Sequence, residues 1–176
     1  MALNNAYAGS ITAQGNRQGF ADYNDLATAT TPITLVSDTW TTLTNDGAGT
    51  FTNTTFLPTG VSSLLDTSTG ALDCSELELG DSVIIRQDFT VDQTTNNSLL
   101  ESRYQAGTGG GAYTIEKVLQ RLDSGTTRTY RFSLTADFIY MGDANTRDNP
   151  IIPQIKLSGG GTVVNAGVVI EVVKRN

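Results

Sequence analysis

Histidine is absent from this 176-residue chain, cysteine and tryptophan each occur once, and methionine occurs twice. Without an imidazole the chain lacks the commonest general base, the commonest transition-metal ligand and every Ser-His or Cys-His nucleophile pairing. No Ser-x-x-Lys spacing takes their place, and Lys117, Lys156 and Lys174 fall in segments that read as strands or strand ends. The lone Cys74 excludes an internal disulfide and reads as a small buried apolar side chain. Positive charge is scarce: 11 Lys and Arg stand against 18 Asp and Glu, for a net charge of −7. The basic residues are scattered, so no stripe exists to neutralise a phosphate backbone, and nucleic acid is not an expected partner. No apolar run approaches the ~18 to 20 residues that span a bilayer. The front of the sequence carries no basic patch followed by an apolar segment, so the chain is expected to be made and held in the cytosol until it assembles.

What is present points to strands joined by turns. Eighteen glycines, abundant Thr, Ser and Asn, and few good helix formers in succession fit an all-β chain. The length suits one domain, whose folding would hide roughly 70% of the unfolded surface. "ITLVSDTWTTLTND" reads as two short strands with Trp40 and Leu43 as core anchors, and "SSLLDTSTGALDCS" as a hairpin between Leu64-Leu65 and Ala71-Leu72. "DSVIIRQDFTVDQ" alternates cleanly: Val83, Ile85, Gln87, Phe89 and Val91 on one face, Arg86, Asp88, Thr90 and Asp92 on the other. "TTRTYRFSLT" turns Tyr130, Phe132 and Leu134 inward, and the Val-rich "TVVNAGVVIEVVKRN" reads as a central strand buried on both faces. "EKVLQRLD" is open to either a strand or one helical turn. About eight to ten strands in this length predict a two-sheet antiparallel sandwich, most simply a jelly roll.

Residues 1–31 differ from everything after them. Ala, Asn, Gly, Gln and Thr dominate, and the only sizeable apolar side chains are Leu3, Tyr7, Ile11, Phe20, Tyr23 and Leu26, irregularly spaced. Such a segment cannot form a core of its own. It is either a disordered tail or an extended N-terminal arm that lays those six side chains on a neighbouring subunit; fully extended, ~30 residues reach on the order of 100 Å. The arm reading sets the sandwich domain at 32–176 and makes those six residues the candidate interaction residues.

Other constellations carry little chemistry. Paired carboxylates of a glycosidase need a separation that sequence cannot supply. "AGTGGGAYT" lacks the Lys-Ser/Thr of a phosphate loop and reads as a mobile turn. "GDANTRDNP" has Asp143, Asn145 and Asp148 at short intervals, but Arg147 stands where a calcium loop places a ligand and its central glycine is missing, so a turn held by Asn and Asp side chains is expected. No catalytic residue, cofactor or metal site is expected.

The stretches "ADYNDLATATTPI", "LTNDGAGTFTN", "LDTSTGALDCSELELGDSVIIRQDFTV", "YQAGTGGGAYTIEK" and "YMGDANTRDNP" resemble small virion proteins of tailed bacteriophages, over most of the chain from Ala21 to Arg175. The resemblance implies a jelly-roll-like structural module of the particle, homo-oligomeric about a symmetry axis with a trimer favoured, and partnered by the major capsid protein or other virion proteins. It implies either a capsid decoration (cement) protein on the outer shell or the head of a tail or head fibre, and it carries over no catalytic residue. About 30 irregular residues ahead of a single domain, with no shaft of repeats, favour decoration. A receptor- or glycan-binding head is the alternative, with "DQTTNN", "GTGGG" and "GDANTRDNP" as recognition loops and Trp40, Tyr104, Tyr113 or Tyr140 as stacking platforms. A carbohydrate enzyme on a similar sandwich is the weakest reading without histidine.

Overall fold

The computed structural model describes residues 15–126, 128–134 and 136–175. In chain order these form β1 (Gln18–Asn24), α1 (Ala27–Thr30), β2 (Ile33–Leu35), β3 (Thr41–Thr42), β4 (Leu65–Asp66), β5 (Ala71–Leu72), β6 (Ser82–Gln93), β7 (Ser98–Ala106), β8 (Tyr113–Leu122), β9 (Thr129–Ser133), β10 (Asp137–Tyr140), α2 (Ala144–Asp148), β11 (Ile152–Leu157) and β12 (Gly161–Val173). Two antiparallel sheets face each other. In the six-stranded sheet β12 and β6 lie at the centre, with β1 and β2 along the outer side of β12 and β10 and β9 along the outer side of β6; the other sheet runs β3-β11-β7-β8. The β4-β5 hairpin sits in the long connection between the sheets.

This strand order is a jelly roll. With β1/β2 and β9/β10 each counted as one interrupted strand, first pairs with last (β1/β2 with β12), second with seventh (β3 with β11), third with sixth (β6 with β9/β10), and fourth with fifth (β7 with β8). That is one long antiparallel ribbon rolled on itself. "EKVLQRLD" is strand, part of β8, with a bulge opposite Leu100 and Glu101. The period of two in β6 is observed throughout, Val83, Ile85, Gln87, Phe89 and Val91 all being buried.

The apolar interior has two parts. One gathers Val83 and Ile85 of β6 with Val168, Ile170 and Val172 of β12; the other gathers Phe89 and Val91 of β6 with Val163 of β12. Between them, Gln87 and Asn165 put amides into the interior, at 4% and 1% exposure. A bulge at Asn165–Gly167 makes room for this belt. The Gln87 amide donates to Asn165 Oδ1 at 2.7 Å and to the Gly167 carbonyl at 2.9 Å, and Asn165 Nδ2 donates to the Thr44 carbonyl at 2.8 Å. The Asn165 backbone N–H donates to Thr28 Oγ1 at 2.8 Å, and the Thr28 hydroxyl donates to the Asp25 carboxylate, which also accepts the Thr28 and Asp46 N–H groups. Gly167 is required at the bulge: its φ is +140°, and a Cβ there would lie 2.6 Å from the Tyr23 carbonyl oxygen.

Three sequence expectations are corrected. The expected boundary between an arm of residues 1–31 and a sandwich of 32–176 does not hold over the described residues. β1 pairs with β12 from Gln18↔Val173 to Asn24↔Gly167, with Ala21 and Tyr23 buried in the core, so the sandwich begins at least as early as Gln18. The alternation was there in "FADYN", but an alanine at one inward position weakens it. Trp40 is not a core anchor. It lies on the outer face of the four-stranded sheet under the Arg103 guanidinium, 4.3 Å from the ring centre, with Lys156 at 4.8 Å, whereas Leu43 is buried as expected. β12 is central as expected, but its outward residues Val169 and Glu171 are half-exposed instead of buried.

Replacing Asn165 with Leu would strand the Gln87 amide, the Gly167 N–H and the Thr44 carbonyl among apolar groups. Each buried polar group left unsatisfied costs about 1–3 kcal/mol, so urea unfolding of Asn165→Leu is expected to show a loss of about 3 kcal/mol or more at unchanged m-value.

Candidate functional site

The outer faces of the two sheets are chemically unlike. On the four-stranded sheet, Glu101 and Arg103 of β7 stand opposite Lys156 and Gln154 of β11. Lys156 Nζ pairs with Glu101 at 2.8 Å, an interaction that raises the ammonium pKa, and Arg103 Nε donates to Gln154 Oε1 at 2.7 Å. These groups, with Trp40 beneath the cations, satisfy one another.

The outer face of the six-stranded sheet is mixed: Arg86 pairs with Asp88 on β6, while exposed apolar side chains gather toward the β1 and β10 sides. Register aligns Phe20 of β1, Glu171 of β12, Ile84 of β6 and Phe138 of β10 in one row, and Gln18, Val173, Ser82 and Tyr140 in the next. Large apolar side chains stay in contact with solvent at both ends: Phe20 (43%) and Phe56 (52%) at one, Phe138 (60%), Tyr140 (59%) and Tyr113 (40%) at the other. At the first end the Phe20 and Phe56 rings stack with centroids 5.2 Å apart, and with Val169, Gln18 and Glu171 they line a groove of about 600 Å³. Residues 53–56 hold Phe56 there, because the Phe20 N–H donates to the Phe56 carbonyl and Asp22 exchanges backbone hydrogen bonds with Asn53. Asp22, on the same face, has a carboxyl pKa above the usual range; desolvation is the main cause, Arg86 opposes it and Asp88 adds to it.

At the second end β8 and β10 are edge strands of their sheets among the described residues, joined by an ion pair between Lys117 and the buried Asp137. Outside that pair Tyr113, Phe138 and Tyr140 border a cleft of about 470 Å³ whose floor carries Asp143 and Thr146. Two of the three recognition loops meet beside it. Thr108 of "GTGGG" exchanges hydrogen bonds with Asn145 of "GDANTRDNP", its N–H donating to Asn145 Oδ1 at 3.2 Å and its carbonyl accepting from Asn145 Nδ2 at 3.1 Å. "GDANTRDNP" is itself a capped turn of helix: Asp143 Oδ1 accepts the Thr146 N–H at 2.8 Å, which holds that carboxyl below its usual range, and Asp148 pairs with Arg147. The third loop, "DQTTNN", lies at the opposite end of the sandwich, where Thr94 and Thr95 donate to the Gly159 carbonyl.

Of the six candidate interaction residues, Leu3, Tyr7 and Ile11 lie outside the described residues. Phe20 lines the groove, Leu26 is exposed at the start of α1, and Tyr23 is a core residue whose hydroxyl accepts the Leu64 N–H at 2.8 Å. Of the four aromatic platforms, Tyr113 and Tyr140 share the cleft, Trp40 is covered by cations, and Tyr104 is buried with its hydroxyl unpartnered and its pKa raised by desolvation. Phe56, Phe138 and Val169 were not singled out from sequence; alternation with the buried Ile139 is the signal that places Phe138 outward. Comparison with protein-family models and with curated proteins returned no match.

Cys74 is buried, and desolvation followed by the Asp73 charge pushes its thiol up to about 12. Alkylation by iodoacetamide at pH 8 is therefore expected to run on the order of a thousandfold slower in the native chain than in urea, since only the thiolate reacts; equal rates would refute the burial.

Proposed function

We propose that this chain is a non-enzymatic bacteriophage virion structural protein, a capsid decoration protein that binds the outer shell as a homo-oligomer, most simply a trimer. The observation that carries the reading is the exposed Phe20–Phe56 stack at the β1 side of the six-stranded sheet. Its two rings line a groove that a neighbouring protein would desolvate. Exposed aromatics on an otherwise acidic, soluble chain are the anchors expected of a protein contact. A small oligomer on a symmetry axis makes several such contacts at once, and their linkage raises avidity without any strong single site. The resemblance of the turn and strand segments to tailed-phage virion proteins supplies the kind of partner, the major capsid protein or another component of the shell. Residues ahead of β1, with Leu3, Tyr7 and Ile11, would extend the contact from the groove's end of the domain.

The test pairs solution mass with particle binding. Light scattering after size exclusion is expected to give an oligomer for the full chain, and Phe20→Ser combined with Phe56→Ser is expected to weaken that association or the uptake onto empty shells by about thirtyfold, the worth of one aromatic anchor. Quantitative mass spectrometry of purified particles should count hundreds of copies per head. A monomer that turns over a small molecule, or wild-type uptake by the double variant, would overturn the proposal.

A further inference from the structure

The cleft at the β8–β10 edge differs in kind from the Phe20–Phe56 groove, because it combines flat aromatic faces with a fixed carboxylate. Phe138 and Tyr140, two residues apart on the outward face of β10, hold their rings with centroids 6.5 Å apart and planes 21° from parallel. Tyr140 is seated, not loose: its ring packs on Gly142 so closely that a Cβ there would fall 2.7 Å from Cε2 and 2.9 Å from Cζ. Tyr113, the first residue of β8, stands across the opening.

The polar groups are as specific. Asp143 is fixed by capping α2, its Oδ1 accepting the Thr146 N–H, and its carboxylate lines the cleft as a charged acceptor. The nearby cations are already engaged, Lys117 with Asp137 and Arg147 with Asp148. An anionic ligand would meet a carboxylate and, among the described residues that line the cleft, no cation. A purely apolar ligand would leave that carboxylate facing it without a donor. A ring with one face of C–H groups and a rim of hydroxyls satisfies both, stacking on Tyr140 and Phe138 while vicinal hydroxyls donate to Asp143. The volume of about 470 Å³ lies within the range of small-ligand sites.

We propose that this cleft binds a neutral saccharide ring, with Tyr140 and Phe138 as the stacking platform, Tyr113 as the facing wall and Asp143 as the hydroxyl acceptor. The site lies at the β10 side of the sheet face whose β1 side carries the groove assigned to shell contact; the two share no lining residue, so either assignment can fail without the other.

Affinity electrophoresis of the full chain in native gels cast with a mixed-linkage β-glucan, a galactomannan, an α-mannan or dextran tests it, with polygalacturonate as the anionic comparison. Retardation by at least one neutral polymer and none by polygalacturonate is expected. Tyr140→Ala should weaken the retardation by about tenfold through loss of the stacking face. Asp143→Asn should weaken it by about tenfold, the worth of a hydrogen bond to a charged acceptor. Asparagine caps a helix as well as aspartate, so Asp143→Asn keeps the fold and its effect reports on the ligand alone. Retardation by none of the neutral polymers, or retardation that both variants leave unchanged, would overturn the proposal. Self-association lost in Tyr140→Ala without any polysaccharide effect would also overturn it and reassign the cleft to a protein contact.

Discussion

The hydrogen-bonded belt around Asn165 is the constraint on which the sandwich rests. A jelly roll of this length could have one continuous apolar interior, yet here Gln87 and Asn165 interrupt it from the two central strands. Their amides would be costly if unpaired. They are paired with each other, with Gly167, and through Thr28 and Thr44 with the segments that enter and leave β2 and β3. Burial of Phe89 or Ile85 is non-directional and tolerates sliding, whereas amide-to-amide geometry does not. A one-residue slip of β12 against β6 would break every bond in the belt and turn Val168, Ile170 and Val172 outward. The belt therefore fixes register, and register fixes which aromatics line the outer face.

From that register follows the difference between the two faces. On β7 and β11 the outward positions fall to charged and amide side chains that meet in cross-strand pairs. On β1, β12, β6 and β10 the same positions mix Asp22, Glu171, Arg86 and Asp88 with Phe20, Val169, Ile84 and Phe138, and the exposed aromatics gather at the two sides of the sheet. Such a surface is marginal for an isolated subunit and useful for one that packs on others. Asp66, Asp143 and Glu76 accept hydrogen bonds from neighbouring Ser and Thr residues that hold their pKa values low. Depressed carboxylates add stability above their unfolded pKa of about 4 and lose it as pH falls through their folded values. All three are exposed, so solvent screening keeps this contribution small.

The fold was legible wherever one face of a strand was strongly apolar. β6, the β4-β5 hairpin and β12 could be placed from their side chains alone, because alternation over several residues leaves one burial solution. β1 was not legible: Ala21 and Tyr23 are its only buried apolar residues, and what stabilises it is backbone pairing to β12, which no composition reveals. Trp40 misled for the opposite reason. A lone tryptophan ordinarily goes inside, but two cations on neighbouring strands cover it from without. The candidate cleft was half legible. Tyr113 and Tyr140 stood out as aromatics near polar loops, but nothing in the sequence says that β8 and β10 run along adjacent edges, and that adjacency alone brings the two rings together.

Pairing of the first strand with the last has a temporal consequence. β12 lies at the middle of its sheet, between β1 and β6, yet it comes after every other described strand in chain order. Until it emerges, the earlier strands have no central template, so the sandwich cannot close vectorially during translation. The interior therefore forms in one late, cooperative step, once β12 is available to template both of its neighbours.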